Sequence, residues 1–151
     1  MFKISKAEEQ AMRLTLRLAA EGQQQTLADL ALAEELPEPT VAKVLGQLRR
    51  GGVVDAVRGR HGGYVLAGKP EDVSAKQVLN SVTPDSFAGG PCPSHGEAPC
   101  PRNSDCGLRS VWQHLEKTMS EVLDCTSIAD LMDKESHVAN QLQKKWPLSG
   151  E

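Results

Sequence analysis

Apolar residues recur with a helical period over most of the chain. Ala7, Ala11, Leu14 and Leu18 form one stripe, which predicts a helix over 5–20. Ser5 is placed to cap it, Glu8 and Glu9 put negative charge in the first turn where the helix dipole favours it, and Gly22 ends it. After a polar QQQT connection, Thr26 caps a short second helix with Leu27, Leu30 and Ala31 on its buried side. The segment ELPEP interrupts the pattern, because proline breaks a helix interior but suits a helix start. In the third helix, about 39–50, Val41, Val44, Leu45 and Leu48 fall at i, i+3, i+4 and i+7 and face the core. Thr40, Lys43, Gln47 and Arg50 form a second stripe of hydrogen-bonding and cationic groups, and Gly51 and Gly52 stop the helix.

Two short helices, a tight break and an amphipathic helix with a polar outer stripe make a helix-turn-helix. The period then changes: VVDAVR (53–58) and YVLA (64–67) are β-prone runs around GRHGG (59–63), the pattern of a hairpin with a glycine-rich tip. A helix-turn-helix followed by a basic two-stranded hairpin is a winged helix. Arg58, Arg60 and His61 of the wing have the length to reach phosphates or enter a minor groove. The plainer alternative for each of these side chains is a solvated basic turn.

Ser74 and Gln77 fit a capping box that opens a helix to about Val82. Residues 83–103 look different, with Pro84, Pro91, Pro93, Pro99 and Pro101 among Gly89, Gly90 and Gly96. A loop of that length needs something to hold it. Leu108, Val111, Trp112, Leu115, Met119, Val122 and Leu123 then keep helical spacing over a stripe too long for a small winged helix to cover. Such a helix pairs with a copy of itself, so a homodimer is expected. Ser127 caps a last short helix with Ile128, Leu131 and Met132. The expected organisation is a DNA-binding winged helix-turn-helix over 1–82, a cysteine loop over 83–103, a dimerisation helix and C-terminal helix over 104–143, and a tail over 144–151. The fold class is mostly α with a small two-stranded β wing.

Composition sharpens this picture. The 151 residues, 16.3 kDa, are 39 % hydrophobic and 25 % charged but only 3 % aromatic, so the core is built from Leu, Val, Ala and Met. The net charge of −3 hides an asymmetry, since residues 40–69 carry six Lys/Arg against one Asp. A local basic patch on an acidic chain is the electrostatic footprint of a polyanion partner, here double-stranded operator DNA. The first residues lack the apolar core of a signal peptide and no run approaches the roughly 20 apolar residues of a membrane span, so a cytoplasmic protein with no membrane partner is expected.

Three of the four cysteines lie close together, as Cys92-x7-Cys100-x5-Cys106. Structural zinc sites favour C-x2-C knuckles, which are absent, whereas thiolates spread through a Pro/Gly loop suit an iron–sulfur cluster that would also hold the loop. Zinc and unliganded thiols remain the alternatives. A fourth ligand has three candidates: His95 inside the loop, and Glu8 or Glu9 at the head of the first helix, where their plain role is to complement the dipole. Cys125, far from the trio, reads as a small buried side chain. No histidine is patterned with a cysteine as a catalytic base would be, and no phosphate-cradling loop is present, so the chain is not expected to be an enzyme.

The N-terminal K-I-S-K, the segment ADLALAEELPEPTVAKVLGQLRRGGVV, the wing VRGRHGGYVLA and the three-cysteine loop before a Trp-containing helix resemble the Rrf2 family, over roughly residues 2–132. The resemblance implies a dimeric winged-helix transcription regulator whose iron–sulfur cluster, or its loss, changes DNA binding. It implies that Cys92, Cys100 and Cys106 are cluster ligands and that Arg58 enters the minor groove. Where the IscR type has a ligand histidine this chain has Arg109, whereas alignment with NsrR-like members puts Glu9 at the acidic position supplied by the other subunit. The x7/x5 spacing is similar to that of RirA, which points to iron or cluster status as the signal. Three thiolates and a carboxylate favour a 4Fe-4S cluster over 2Fe-2S. The competing readings are a nitric oxide-sensing repressor of the same family, and a cluster-free repressor controlled by thiol oxidation or a protein partner.

Overall fold

The computed structural model describes residues 4–60, 62–84 and 106–147. In chain order these form α1 (Lys6–Glu21), α2 (Leu27–Glu34), α3 (Glu38–Arg50), β1 (Val54–Val57), β2 (Gly63–Leu66), α4 (Ala75–Val82), α5 (Gly107–Asp124), α6 (Ile128–Leu131) and α7 (Glu135–Lys145). The expected winged helix is present. Ser5 and Glu8 form a reciprocal capping box on α1, and Gly22 closes that helix in the left-handed conformation. Thr26 and Asp29 do the same at the start of α2.

One core unites these elements. Ala11, Leu14 and Leu18 of α1 meet Leu30 of α2, Val41, Val44, Leu45 and Leu48 of α3, Val78 of α4 and Ile128 of α6, all at 2 % exposure or less. Burying each Leu or Val side chain contributes about 1.5–3 kcal/mol, so the α3 stripe alone commits that helix to one orientation. A buried carboxylate joins α2 to α1. Glu34 accepts from Arg13 Nε at 3.0 Å and from Arg17 Nε at 2.8 Å, and its backbone carbonyl accepts from Arg13 Nη2 at 2.6 Å. The hydrogen bond to Glu34 also raises the Arg17 pKa above its ordinary value.

The wing pairs antiparallel, Val54 with Leu66 through Val57 with Gly63. It is fastened to the connection between α1 and α2, where Gln25 N–H donates to the Tyr64 carbonyl at 3.0 Å and Tyr64 N–H to the Gln25 carbonyl at 2.8 Å. Gly63 makes this approach possible, because a Cβ there would collide with the Gln25 backbone. On the opposite side, Ala75 N–H donates to Thr126 O and Ile128 N–H to Val73 O, both at 2.8 Å, so the chain after α5 is zipped onto the chain before α4.

Three expectations need correction. Ser74 caps α4, but Gln77 does not return the bond that would complete a capping box; its amide reaches the Gly51 carbonyl instead, at 3.4 Å. Cys125 is exposed rather than buried, because it ends α5, a helix with no buried residue. The short helix at Ser127 is not the last one, since α7 follows and runs to Lys145, past the expected start of the tail. The apolar signal of α7 is short, Val138 and Leu142 one turn apart and only half-buried, while Glu135 in its first turn and Lys144 and Lys145 in its last complement its dipole.

The wing fastening generates a test. Gly63→Ala should destabilise the protein by about 1–3 kcal/mol, because the added Cβ meets backbone that must move, and an unchanged melting temperature would contradict the geometry.

Candidate nucleic-acid interface

With Val41, Val44, Leu45 and Leu48 buried, the opposite side of α3 faces out. Pro39, Ala42, Lys43, Arg49 and Arg50 are exposed there, and Thr40 and Gly46 are half-buried. Small residues along the middle let a helix backbone approach a groove floor, and flanking cations meet phosphates. Arg49 belongs to this face although the sequence stripe omitted it. Its signal was its place in the Arg49–Arg50 pair at the helix end, where positive charge also suits the dipole. Gln47 is different from the other expected DNA-facing residues, because its Nε2 donates to the Val82 carbonyl of α4 at 3.3 Å.

The turn that presents α3 is tight. Glu35 takes the left-handed conformation (φ 54°), Leu36 N–H donates to the Ala31 carbonyl at 2.9 Å, and Pro37 starts α3 as its N-cap. Arg58 and Arg60 stand exposed on the wing just beyond β1. His61 lies outside the described residues. Lys43, Arg49 and Arg50 on the helix and Arg58 and Arg60 on the hairpin thus give two cationic elements, the arrangement with which a winged helix grips major-groove backbone with one and the flanking groove with the other.

Of the expected metal donors, Cys92 and Cys100, with the alternative His95, lie outside the described residues. Cys106 is half-buried and forms the N-cap of α5 without a side-chain cap hydrogen bond, so its sulfur is not used up in closing the helix. The positive end of an 18-residue helix also suits an anionic centre. At the head of α1 the two glutamates separate. Glu8 is buried, its carboxylate accepting the Ser5 N–H at 2.7 Å, whereas the Glu9 side chain is 61 % exposed and makes a long contact, 3.7 Å, with Arg13. Among the described residues no three His, Cys, Asp or Glu side chains gather to hold a metal ion. The donor chemistry still fits a cluster: a free thiol from α5 and an accessible carboxylate from α1, on separate elements. Among the described residues no helix is long and apolar enough to cross a membrane.

Comparison with known proteins gives concordant likenesses. A family model, Rrf2, iron-dependent transcriptional regulator, matches residues 4–134. The protein aau3 of Rhizobium meliloti is 33 % identical over 131 residues, 86 % of this chain and 84 % of that one. The HTH-type transcriptional regulator IscR of Aliivibrio salmonicida is 30 % identical over 118 residues, 78 % of this chain and 66 % of that one. Among solved structures, CymR (YrzC), the global cysteine regulator of B. subtilis, is similar with a TM-score of 0.70 at 25 % identity, covering 87 % of this chain and 97 % of that chain.

The two cationic elements can be told from solvated charge by salt titration. Replacing Lys43, Arg50 or Arg58 singly by Ala should lower operator affinity and reduce the slope of log affinity against log salt by about one phosphate contact each. Slopes equal to that of the native chain would remove those side chains from the interface.

Proposed function

The chain belongs to the Rrf2 family of transcriptional regulators, and on that premise we propose that it is a cytoplasmic, homodimeric repressor whose grip on operator DNA follows the state of an iron–sulfur cluster. That it is a DNA-binding regulator rather than an enzyme comes with the family. The observation that carries the finer reading is a pair of accessible donors: the Cys106 thiol, not engaged in capping α5, and the exposed Glu9 carboxylate at the head of α1, paired with Arg13 only at 3.7 Å. Cys92, Cys100 and Cys106 would supply three thiolates, and Glu9 of one protomer the fourth ligand to the loop of the other. Glu8 is the weaker candidate because capping already occupies it. When bound, a 4Fe-4S cluster with one oxygen ligand supplies a labile centre that iron shortage or oxidants degrade.

The dimer reading is supported by α5. Leu108, Val111, Trp112 and Leu115 are 45–52 % exposed at i, i+3, i+4 and i+7, one continuous apolar stripe on a helix that buries no residue within its own chain. Pairing two copies along it would set two α3 helices at a fixed spacing, as an operator with two half-sites requires. Lys43, Arg50, Arg58 and Arg60 then anchor each half to phosphate, with Thr40 reaching the groove.

Anaerobic purification with iron and sulfide counts tests the cluster. The native chain should be brown, with about four irons per chain for a cubane, and Cys106→Ala should lose them. Glu9→Ala should shorten the cluster's life in air, while Glu8→Ala should lower stability without that effect. A chain that stays colourless after anaerobic reconstitution overturns the cluster and supports thiol control, the reading that likeness to a cysteine regulator favours.

A further inference from the structure

Gln47 sits on the recognition helix yet spends its amide inside the molecule. Val82 is the last residue of α4, and its carbonyl accepts from Gln47 Nε2 at 3.3 Å. The same thing happens in reverse at the other end of the contact. Gly51 closes α3, and its carbonyl accepts from Gln77 Nε2 of α4 at 3.4 Å. Each helix therefore has a terminal carbonyl capped by a glutamine from the other. Between the two bonds the helices touch: a Cβ on Gly51 would collide with the Ser81 side chain, one turn after Gln77 on the same face of α4. Ser81 itself is braced, its Oγ donating to the Gln77 carbonyl at 2.8 Å. Pro39, Ala42, Gly46 and Arg49 follow the outward side of α3, while Gln47 lies on the flank turned to α4.

We propose that Gln47 is a positioning residue and not a base reader: with Gln77 it clamps the recognition helix to α4, so that α4 sets the tilt at which α3 meets the major groove. Two bonds at opposite ends of a close contact add to the apolar packing and stiffen the tilt of one helix on the other. Among the described residues α4 is the last helix before Cys92 and Cys100 in the chain. The clamp is thus the mechanical link by which the ligand state of those cysteines reaches α3; this step rests on the cluster reading above, whereas the clamp itself does not.

A base-pair scan separates the two roles. Operator affinity is measured for the native chain, Gln47→Ala, Gln47→Met and Gln77→Ala against operators each changed at one base pair, with melting temperatures as a folding check. A clamp predicts that all three variants fold and lose affinity by a common factor, roughly two- to tenfold for one modest hydrogen bond, with base preference unchanged at every position. Gln77→Ala matters most, because it breaks the clamp from α4 without altering the surface of α3. If Gln47→Ala instead relaxes preference at one base pair by about fivefold or more, or if Gln77→Ala binds as the native chain does, the clamp is wrong. The affinity ratio between cluster-loaded and cluster-free protein gives the second readout. It should be at least about fivefold for the native chain and shrink toward one in both Gln47→Ala and Gln77→Ala. A ratio that stays at the native value in those variants overturns the link to the cysteines. A native ratio of one overturns the cluster reading and the link with it, while the base-pair scan still decides the clamp.

Discussion

The presentation of this molecule to DNA depends on one constraint, the burial of four side chains on α3. Val41, Val44, Leu45 and Leu48 are all at 2 % exposure or less, against α1, α2 and α4. A helix committed on one side has no freedom to choose what the other side shows, so the cations of α3 are displayed as a consequence of packing. The same logic governs the turn before it. Arg13 and Arg17 hold Glu34 from α1, Glu35 bends into the left-handed region, and Pro37 starts the next helix. The helix-turn-helix is therefore fixed at both ends, by ion pairs before α3 and by contact with α4 after it.

The second half of the chain is built on a different principle. Its α5 is attached at the C-terminal end, where Thr126 and Ile128 zip onto Val73 and Ala75 and Lys76 approaches Asp124 at 3.9 Å. The rest of the helix offers its apolar stripe outward. An element that is firmly anchored at one end and unsatisfied along its length is suited to association, and its N-terminal end begins at Cys106, the third of the trio. The proposed dimer contact and the proposed ligand Cys106 thus share one helix. Glu9 is at the head of α1, whose Arg13 reaches on to Glu34, so the proposed carboxylate ligand also adjoins the ion pairs that hold the turn before α3.

Much of this was legible in the sequence because one-sided burial leaves a period. The α3 stripe, the caps at Ser5, Thr26 and Ser127, and the hairpin around the GRHGG segment all follow from local rules, and the structure has them where those rules put them. What escaped had no local signature. The helix α7 buries no residue fully, and Val138 and Leu142 alone make too short a stripe to announce it. Cys125 is exposed because α5 stands off the core, a tertiary fact. The spacing of Ser74 and Gln77 is that of a capping box, yet the Gln77 amide meets the Gly51 carbonyl across the helix pair. Gln47 shares its stripe with Lys43 and Arg50, and spacing cannot say that the flank of that stripe meets α4. In the candidate site the cations were legible as a charge run, whereas the difference between Glu8 and Glu9 needed the capping geometry.

The central claim is that DNA binding follows the state of the cluster. It is tested most directly by titrating one anaerobic preparation of the native chain against operator DNA before and after the cluster is removed, at one salt concentration. The account predicts two affinities that differ by about fivefold or more, restored when the cluster is rebuilt. Equal affinities in the two states would contradict it.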